Sequence, residues 1–217
     1  MPSPTVLRES VADLVTLANG DLAALWAQVS TLDQARDALM DVLPALVDTY
    51  GAAAATVAAD WYDDLRDEVG ARGRFTAIPA ELREPGTDEL ARWGVSPLLG
   101  ENPDWDAARV LVGGGLQRRI ANASRETVMG SSIQDPQADG WQRIAQSDAC
   151  LFCQMLAGRG DVYGEETADF AAHDWCSCEA TVAWRNRPKP VREWAGPSPD
   201  RSRADYERAR EWIAANM

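Results

Sequence analysis

All four cysteines of the chain and its only histidine lie close together near the carboxyl-terminal end. Cys150 and Cys153 form a Cys-x-x-Cys pair, and His173, Cys176 and Cys178 form a His-x-x-Cys-x-Cys group. A Cys-x-x-Cys pair places two thiolates on one side of an ion, and a tetrahedral zinc ion then needs two further ligands. Five candidates therefore compete for four positions. The sequence predicts one structural Zn²⁺ ion per chain, held by Cys150, Cys153, Cys176 and either His173 or Cys178.

Other interpretations of these residues remain open. Four buried thiols and a histidine can cluster by chance, and two disulfides would suit an oxidising compartment. However, the amino terminus, Met1–Thr5, lacks the basic and apolar regions of a secretory signal, so we expect synthesis in the cytosol, where thiols stay reduced. A catalytic zinc would need an open position and a general base. Glu165, Glu166 and Asp174 are available, but a solvated acidic loop explains them better.

The sequence offers little for other kinds of catalysis. A Ser-His or Cys-His pair would have to use His173, which the metal also requires, and no Gly-x-Ser-x-Gly motif is present. A Ser-Lys pair could use only Lys189, which lies in a proline-rich segment. The run Gly113–Gly115 lacks the Lys-Ser/Thr pair that follows the glycines of a phosphate-binding loop. We therefore assign no catalytic residues.

The charge of the chain argues against two classes of partner. Asp and Glu number 34 against 21 Lys and Arg, which gives a formal net charge of -13. Such a field repels nucleic acid and anionic lipid, so direct nucleic-acid binding is not expected. The longest uncharged runs are also much shorter than the roughly 20 residues that a membrane-spanning helix needs. We therefore expect no membrane association.

Apolar periodicity predicts a mainly helical region over residues 1–130, built from long, kinked helices. Apolar residues recur at helical spacing in the first segment, at Leu7, Val11, Leu14, Leu17, Leu22, Leu25 and Trp26. A second helix begins at the capping box Thr31-x-x-Gln34. Pro44 should bend this helix, which either ends at Gly51 or continues past it. Residues 70–102 contain many glycines and prolines and predict loops and short turns.

A further helix is predicted to begin at Asn102–Pro103, with asparagine as the cap, and to end near Met129. The run Gly113–Gly115 lies inside it, and each glycine costs about 0.5–1 kcal/mol relative to alanine in a helix. Either close packing against a neighbouring element or a hinge must offset this cost, and close packing is the simpler explanation.

The remaining residues predict an α+β fold for the whole chain. Residues 131–187 are expected to form a small zinc-binding α+β module, with short strands around Trp141–Ile144, Val162–Tyr163 and Ala180–Trp184. Residues 188–217 are expected to form a proline-rich connector and a terminal helix.

Two segments resemble a known family. The segment Trp141–Tyr163, followed by His173–Cys178, is similar to the phage Mu protein F-like minor capsid, or head morphogenesis, domain. The pattern of that domain is a Cys-x-x-Cys-x-x-Leu-x-Gly turn followed by His-x-x-Cys-x-Cys. The segment Ala53–Asp67 also resembles the helical part of the forms found in actinobacterial siphophages, where the gene lies beside the portal gene.

The resemblance implies a minor structural protein of a tailed-phage head. Such a protein would associate with portal, capsid or scaffold proteins inside the procapsid and assist head assembly, DNA packaging or ejection. Its expected location is the interior of the virion head, after assembly in the host cytoplasm. The same gene is labelled a capsid maturation protease in several phages. This is the alternative function, for which the sequence supplies no catalytic residues.

Overall fold

The computed structural model describes residues 2–81, 86–164 and 170–184. Over these residues the fold is α+β and mainly helical, as the sequence predicts. The elements in chain order are helices α1 (Pro4–Trp26), α2 (Leu32–Glu68), α3 (Thr87–Gly94) and α4 (Trp105–Gln134), strand β1 (Trp141–Ile144), helix α5 (Leu151–Ala157) and strand β2 (Glu179–Val182).

Local capping explains where the first two helices begin. The Ser3 side chain accepts a hydrogen bond from the Val6 N–H at 3.3 Å, and α1 follows. The predicted capping box before α2 is confirmed by a 3.3 Å bond from the Gln34 N–H to Thr31 Oγ1. The Gln34 side chain reaches back one residue further than in the usual capping box, to the Ser30 N–H at 3.0 Å. Helix α2 then continues through Gly51 to Glu68.

Helix α4 packs against both α1 and α2, and their facing apolar side chains form a shared core. The predicted buried stripe of α4 is confirmed at Ala108, Val112, Leu116, Ile120 and Ala123, each of which is fully buried. One position of α1 differs from the prediction. Leu17 is 60% exposed, because the neighbouring Ala18 faces the core instead.

Three predictions in this region were wrong. Residues 70–102 contain the short helix α3 and a 3₁₀ turn at Ser96–Leu98. The sequence did not indicate α3, because its two turns lie between glycines and prolines that are typical of loops. Helix α4 begins at Trp105 rather than at Asn102–Pro103, because the Asp104 side chain accepts the Ala107 N–H at 2.8 Å and supplies the cap. The helix also extends past Met129 to Gln134.

The three consecutive glycines of α4 are explained by close packing, as expected. The helix is continuous through them, and each lies close to side chains from other parts of the chain. A Cβ atom on Gly113 would lie 2.7 Å from Asn19 Oδ1, and one on Gly114 would lie 2.6 Å from Trp175 Nε1. A Cβ atom on Gly115 would overlap the buried side chain of Leu90.

We expect Gly115→Ala to destabilise the protein by about 1–3 kcal/mol, because the added methyl group overlaps Leu90, which is buried and cannot swing away. Gly20→Ala is the matched control, because a Cβ atom on this helical glycine would meet nothing within 4 Å. That substitution should stabilise the protein by about 0.5–1 kcal/mol. Urea unfolding of the two variants measures both changes. Equal stabilisation by the two substitutions would contradict the packing explanation.

The strands pair antiparallel, with Trp141 opposite Val182 and Ile144 opposite Glu179. This confirms strands at Trp141–Ile144 and near Ala180, although β2 begins at Glu179 and ends at Val182. At the predicted Val162–Tyr163 strand, the structure has an isolated bridge between Tyr163 and Trp141, whose rings stack with centroids 4.5 Å apart. Strand β2 packs on α4 and so shares its core.

The connector and terminal helix predicted over residues 188–217 lie outside the described residues. Helix α2 is the one described helix that, by length and composition alone, could cross a membrane. In the structure 44% of its most apolar window is buried, and the helix packs against α1 and α4, as in the core of a globular protein.

Candidate metal centre

The two predicted ligand groups lie on different elements. Cys150 occupies the residue before α5, and Cys153 lies in its first turn, so the Cys-x-x-Cys pair begins a helix. His173, Cys176 and Cys178 lie in the segment that leads into β2, which we call the ligand loop (residues 173–178). The fold brings the start of α5 and the ligand loop together although the two are well separated in the sequence.

The five donor atoms form two triplets that share Cys153. Cys150, Cys153 and His173 make one triplet, and Cys153, Cys176 and Cys178 make the other. Within each triplet all donor atoms lie within 4.8 Å of one another. Zn–S bonds of about 2.3 Å and tetrahedral angles place two sulfurs about 3.8 Å apart. The Cys153 and Cys176 sulfurs are 3.6 Å apart, and Cys153 Sγ is 3.7 Å from His173 Nε2. These residues could therefore hold a metal ion.

The His173 ring is oriented with one nitrogen toward the sulfurs. Its Nδ1 lies 2.7 Å from the Asp174 carbonyl oxygen, so we assign the proton to Nδ1, which donates to that oxygen. Nε2 then carries no proton and faces the Cys150 and Cys153 sulfurs, which is the arrangement that metal-binding histidines usually have. The Asp174 carbonyl, followed by the Cys150 thiol, raises the pKa of His173.

Helix α4 holds the ligand loop by its backbone. The Arg125 guanidinium donates from Nε to the Cys178 carbonyl at 2.9 Å and from Nη2 to the Cys176 carbonyl at 2.7 Å. The Gln117 amide donates to the Cys176 carbonyl at 2.8 Å and accepts the Trp175 N–H at 3.0 Å. Trp175 has a φ of 62°, which is strained for a residue with a side chain, so these bonds support an unfavourable backbone conformation.

Sequence reasoning missed Gln117 and Arg125. Both are buried, yet they lie in a helix whose other buried residues are small or apolar. Long polar side chains at buried helical positions must find partners, and this was the signal available in the sequence. What the sequence could not supply is the identity of those partners, which lie more than 50 positions away.

Burial and hydrogen bonding shift the pKa values of the four thiols in opposite directions. A hydrogen bond from the Cys178 thiol, together with the charge of Arg125, lowers the pKa of Cys176. Burial raises the pKa of Cys153 to about 11, and the hydrogen bond with Cys176 raises the pKa of Cys178. A hydrogen bond from the Cys153 N–H lowers the pKa of Cys150. The pKa values of Cys150 and Cys176 are thus shifted in the direction that favours metal-binding thiolates.

The other residues considered for chemistry do not join this cluster. Asp174 belongs to neither triplet, and its carboxylate pairs with Arg118 Nε at 3.2 Å. Glu165, Glu166 and Lys189 lie outside the described residues.

The chain was compared with known families, curated proteins and solved structures. No curated protein and no solved structure matches it. The family model described as "VG15 protein" matches residues 4–209 of the 217-residue chain. Because this match covers well over half of its length, the protein belongs to the VG15 protein family, a family of phage proteins.

Proposed function

We propose that this protein is a minor capsid, or head morphogenesis, protein of a tailed phage, and that a structural Zn²⁺ ion stabilises its carboxyl-terminal part. It would associate with the portal and with capsid or scaffold subunits inside the procapsid. The observation that carries the proposal is a cluster of cysteine and histidine donors in a member of a phage protein family. The spacing of these donors resembles that of the Mu F-like domain.

A structural role for the metal is supported by how the donors are placed. Cys153, Cys176 and Cys178 are each 2% exposed or less, and the ligand loop is bonded to α4. A bound Zn²⁺ ion would cross-link α5 to the ligand loop, and the free energy of binding would contribute to folding. The two segments belong to the part of the chain with the shortest elements, where such a cross-link has the most effect.

An assembly role is supported by the exposed apolar side chains near the metal centre. Leu151, Phe152 and Met155 of α5 are 41%, 44% and 54% exposed, and Trp175 of the ligand loop is 54% exposed. Exposed apolar side chains that lie close together are typical of protein contact surfaces. The net charge of -13 would keep such a protein from adhering to packaged DNA.

The proposal is tested by expressing the tagged chain with the portal protein of the same phage and by mass spectrometry of purified virions. We expect the chain to co-purify with the portal and to be present in virions. A chain that is absent from virions and does not bind the portal would contradict the proposal. Incubation with the major capsid and scaffold subunits tests the alternative, since cleavage of either would identify a maturation protease.

A further inference from the structure

The five metal donors differ sharply in their exposure to solvent. Cys153, Cys176 and Cys178 are buried, whereas Cys150 and His173 are exposed. The buried three form one of the two triplets, so the cluster has an inner part made only of sulfur and an outer part at the surface.

We infer that Cys153, Cys176 and Cys178 are the permanent ligands of the metal, and that Cys150 and His173 are alternative donors at the fourth position, through which the ion enters and leaves. This inference rests on the proposed structural metal centre and adds to it the ligand set and the path of metal exchange.

The first argument is the charge around the inner triplet. Arg125 and Arg143 are 0% and 2% exposed, and both guanidinium groups lie over the Phe170 ring, at 4.8 Å and 3.7 Å from its centre. The hydrogen bonds of Arg125 go to the Cys176 and Cys178 carbonyls and to the Asn122 side chain, all of which are neutral. Arg143 approaches Cys153 Sγ at 3.9 Å.

In the part of the chain that the structure describes, neither arginine forms an ion pair. The buried carboxylate of Glu179 is attracted electrostatically to Arg125, although the two form no ion pair among the described residues. Two buried cations without a paired anion are costly. Three thiolates around a divalent ion carry a net charge of about -1 and would supply the missing negative charge beside these cations. The burial of Arg125 and Arg143 is thus explained if all three inner sulfurs are metal-bound thiolates.

The second argument is the distance between the two outer donors. Cys150 Sγ and His173 Nε2 are 3.0 Å apart. A nitrogen and a sulfur that occupy two corners of the same zinc tetrahedron are about 3.5 Å apart, from bond lengths of about 2.0 and 2.3 Å. The observed distance instead fits a hydrogen-bonded pair. Cys150 and His173 therefore compete for one corner, and either can bind while the other contacts it.

An exposed fourth position with two available donors provides a path for exchange of the metal ion. A metal ion can be released or captured when only the outer ligand detaches, while the three buried sulfurs stay in place. Removing one outer donor leaves the other to complete the site, so single substitutions there should be tolerated. Substitution of a buried donor should not be tolerated.

The test uses the full chain, loaded with zinc during expression, and the variants Cys150→Ser, His173→Ala, Cys150→Ser/His173→Ala and Cys178→Ser. Zinc content is measured by elemental analysis, release by transfer to the chromogenic chelator 4-(2-pyridylazo)resorcinol, and folding by circular dichroism. We expect about one zinc per chain in the wild type and in each outer single variant. Release should be at least about tenfold faster in the double variant. Loss of a residue that only hydrogen-bonds to a metal ligand lowers metal affinity by about 10–100-fold, and loss of a ligand itself should cost at least as much. Cys178→Ser should lose most of its zinc.

Cobalt substitution gives a second readout that does not depend on stability. The visible spectrum should indicate four sulfur ligands in His173→Ala, and three sulfurs and one nitrogen in Cys150→Ser. Retention of zinc with unchanged release in Cys178→Ser, or loss of zinc in either outer single variant, would overturn the inference while leaving the metal centre itself intact. A wild-type chain that binds no metal would instead overturn the metal part of the proposed function as well.

Discussion

Cys153→Ser is expected to abolish metal binding and to unfold the part of the chain that contains β1, α5 and β2. Cys153 is the one residue that belongs to both donor triplets, so a metal ion held by either triplet would use its sulfur. Apparent binding free energies of structural zinc sites are about 10 kcal/mol or more, and the metal-free form would lose this contribution.

The effect should be local. Helices α1, α2 and α4 pack on one another through their own apolar contacts, so we expect them to keep their structure without the metal. Hydrogen exchange should therefore show loss of protection in β1, α5 and β2 and retained protection in these three helices. Treating the wild type with a strong chelator should reproduce this pattern, and the same treatment should change nothing further in Cys153→Ser.

Phe152→Ser is the matched control, because Phe152 is adjacent on α5 but 44% exposed and outside the cluster. It should retain zinc and the wild-type exchange pattern. A Cys153→Ser protein that keeps its zinc, or that keeps protection in β1 and β2, would show that Cys153 is not a ligand.

Asp135→Asn is expected to lower the free energy of unfolding by about 3–5 kcal/mol, because it leaves a buried arginine without its anion. Asp135 accepts a 2.8 Å hydrogen bond from Arg66 Nε, and the two side chains are 0% and 6% exposed. The remaining Arg66 donors bond to the Arg72 and Gly73 carbonyls at 2.9 and 3.2 Å. The pair thus ties the end of α2, the following loop and the end of α4 together.

Urea unfolding measures this change, and Asp88→Asn is the control. The ion pair between Asp88 and Arg92 is long, at 3.9 Å, and both side chains are more than half exposed. Its loss should cost less than about 0.5 kcal/mol. A cost below about 1 kcal/mol for Asp135→Asn would mean that the surrounding structure or entering water compensates for the lost charge.

The parts of the fold that sequence reasoning predicted are those specified by short-range patterns. Helical spacing of apolar residues and the Thr31–Gln34 capping box identify α1 and α2, and the apolar stripe around Leu116 identifies α4. The donor residues of the candidate site were recognisable for the same reason, since Cys-x-x-Cys and His-x-x-Cys-x-Cys are local spacings. Helix α3 was missed because its two turns are too short to show a period between flanking glycines and prolines.

The features that could not be predicted depend on pairs of residues far apart in the chain. Arg66 and Asp135 are 69 positions apart, and Arg125 lies 53 positions before Cys178. Nothing local in the sequence distinguishes these arginines from the many others, because their burial follows from tertiary packing. The same holds for the exposure of the donors, since Cys150 and Cys153 are in one short motif but have opposite environments.

Helix α4 contacts both the helical core and the ligand loop. Val112 and Leu116 belong to that core, while Gln117 and Arg125 of the same helix donate hydrogen bonds to the backbone of the loop. Because these hydrogen bonds join the helix directly to the backbone of Cys176 and Cys178, a displacement of α4 would also displace the residues that carry two of the candidate donor sulfurs.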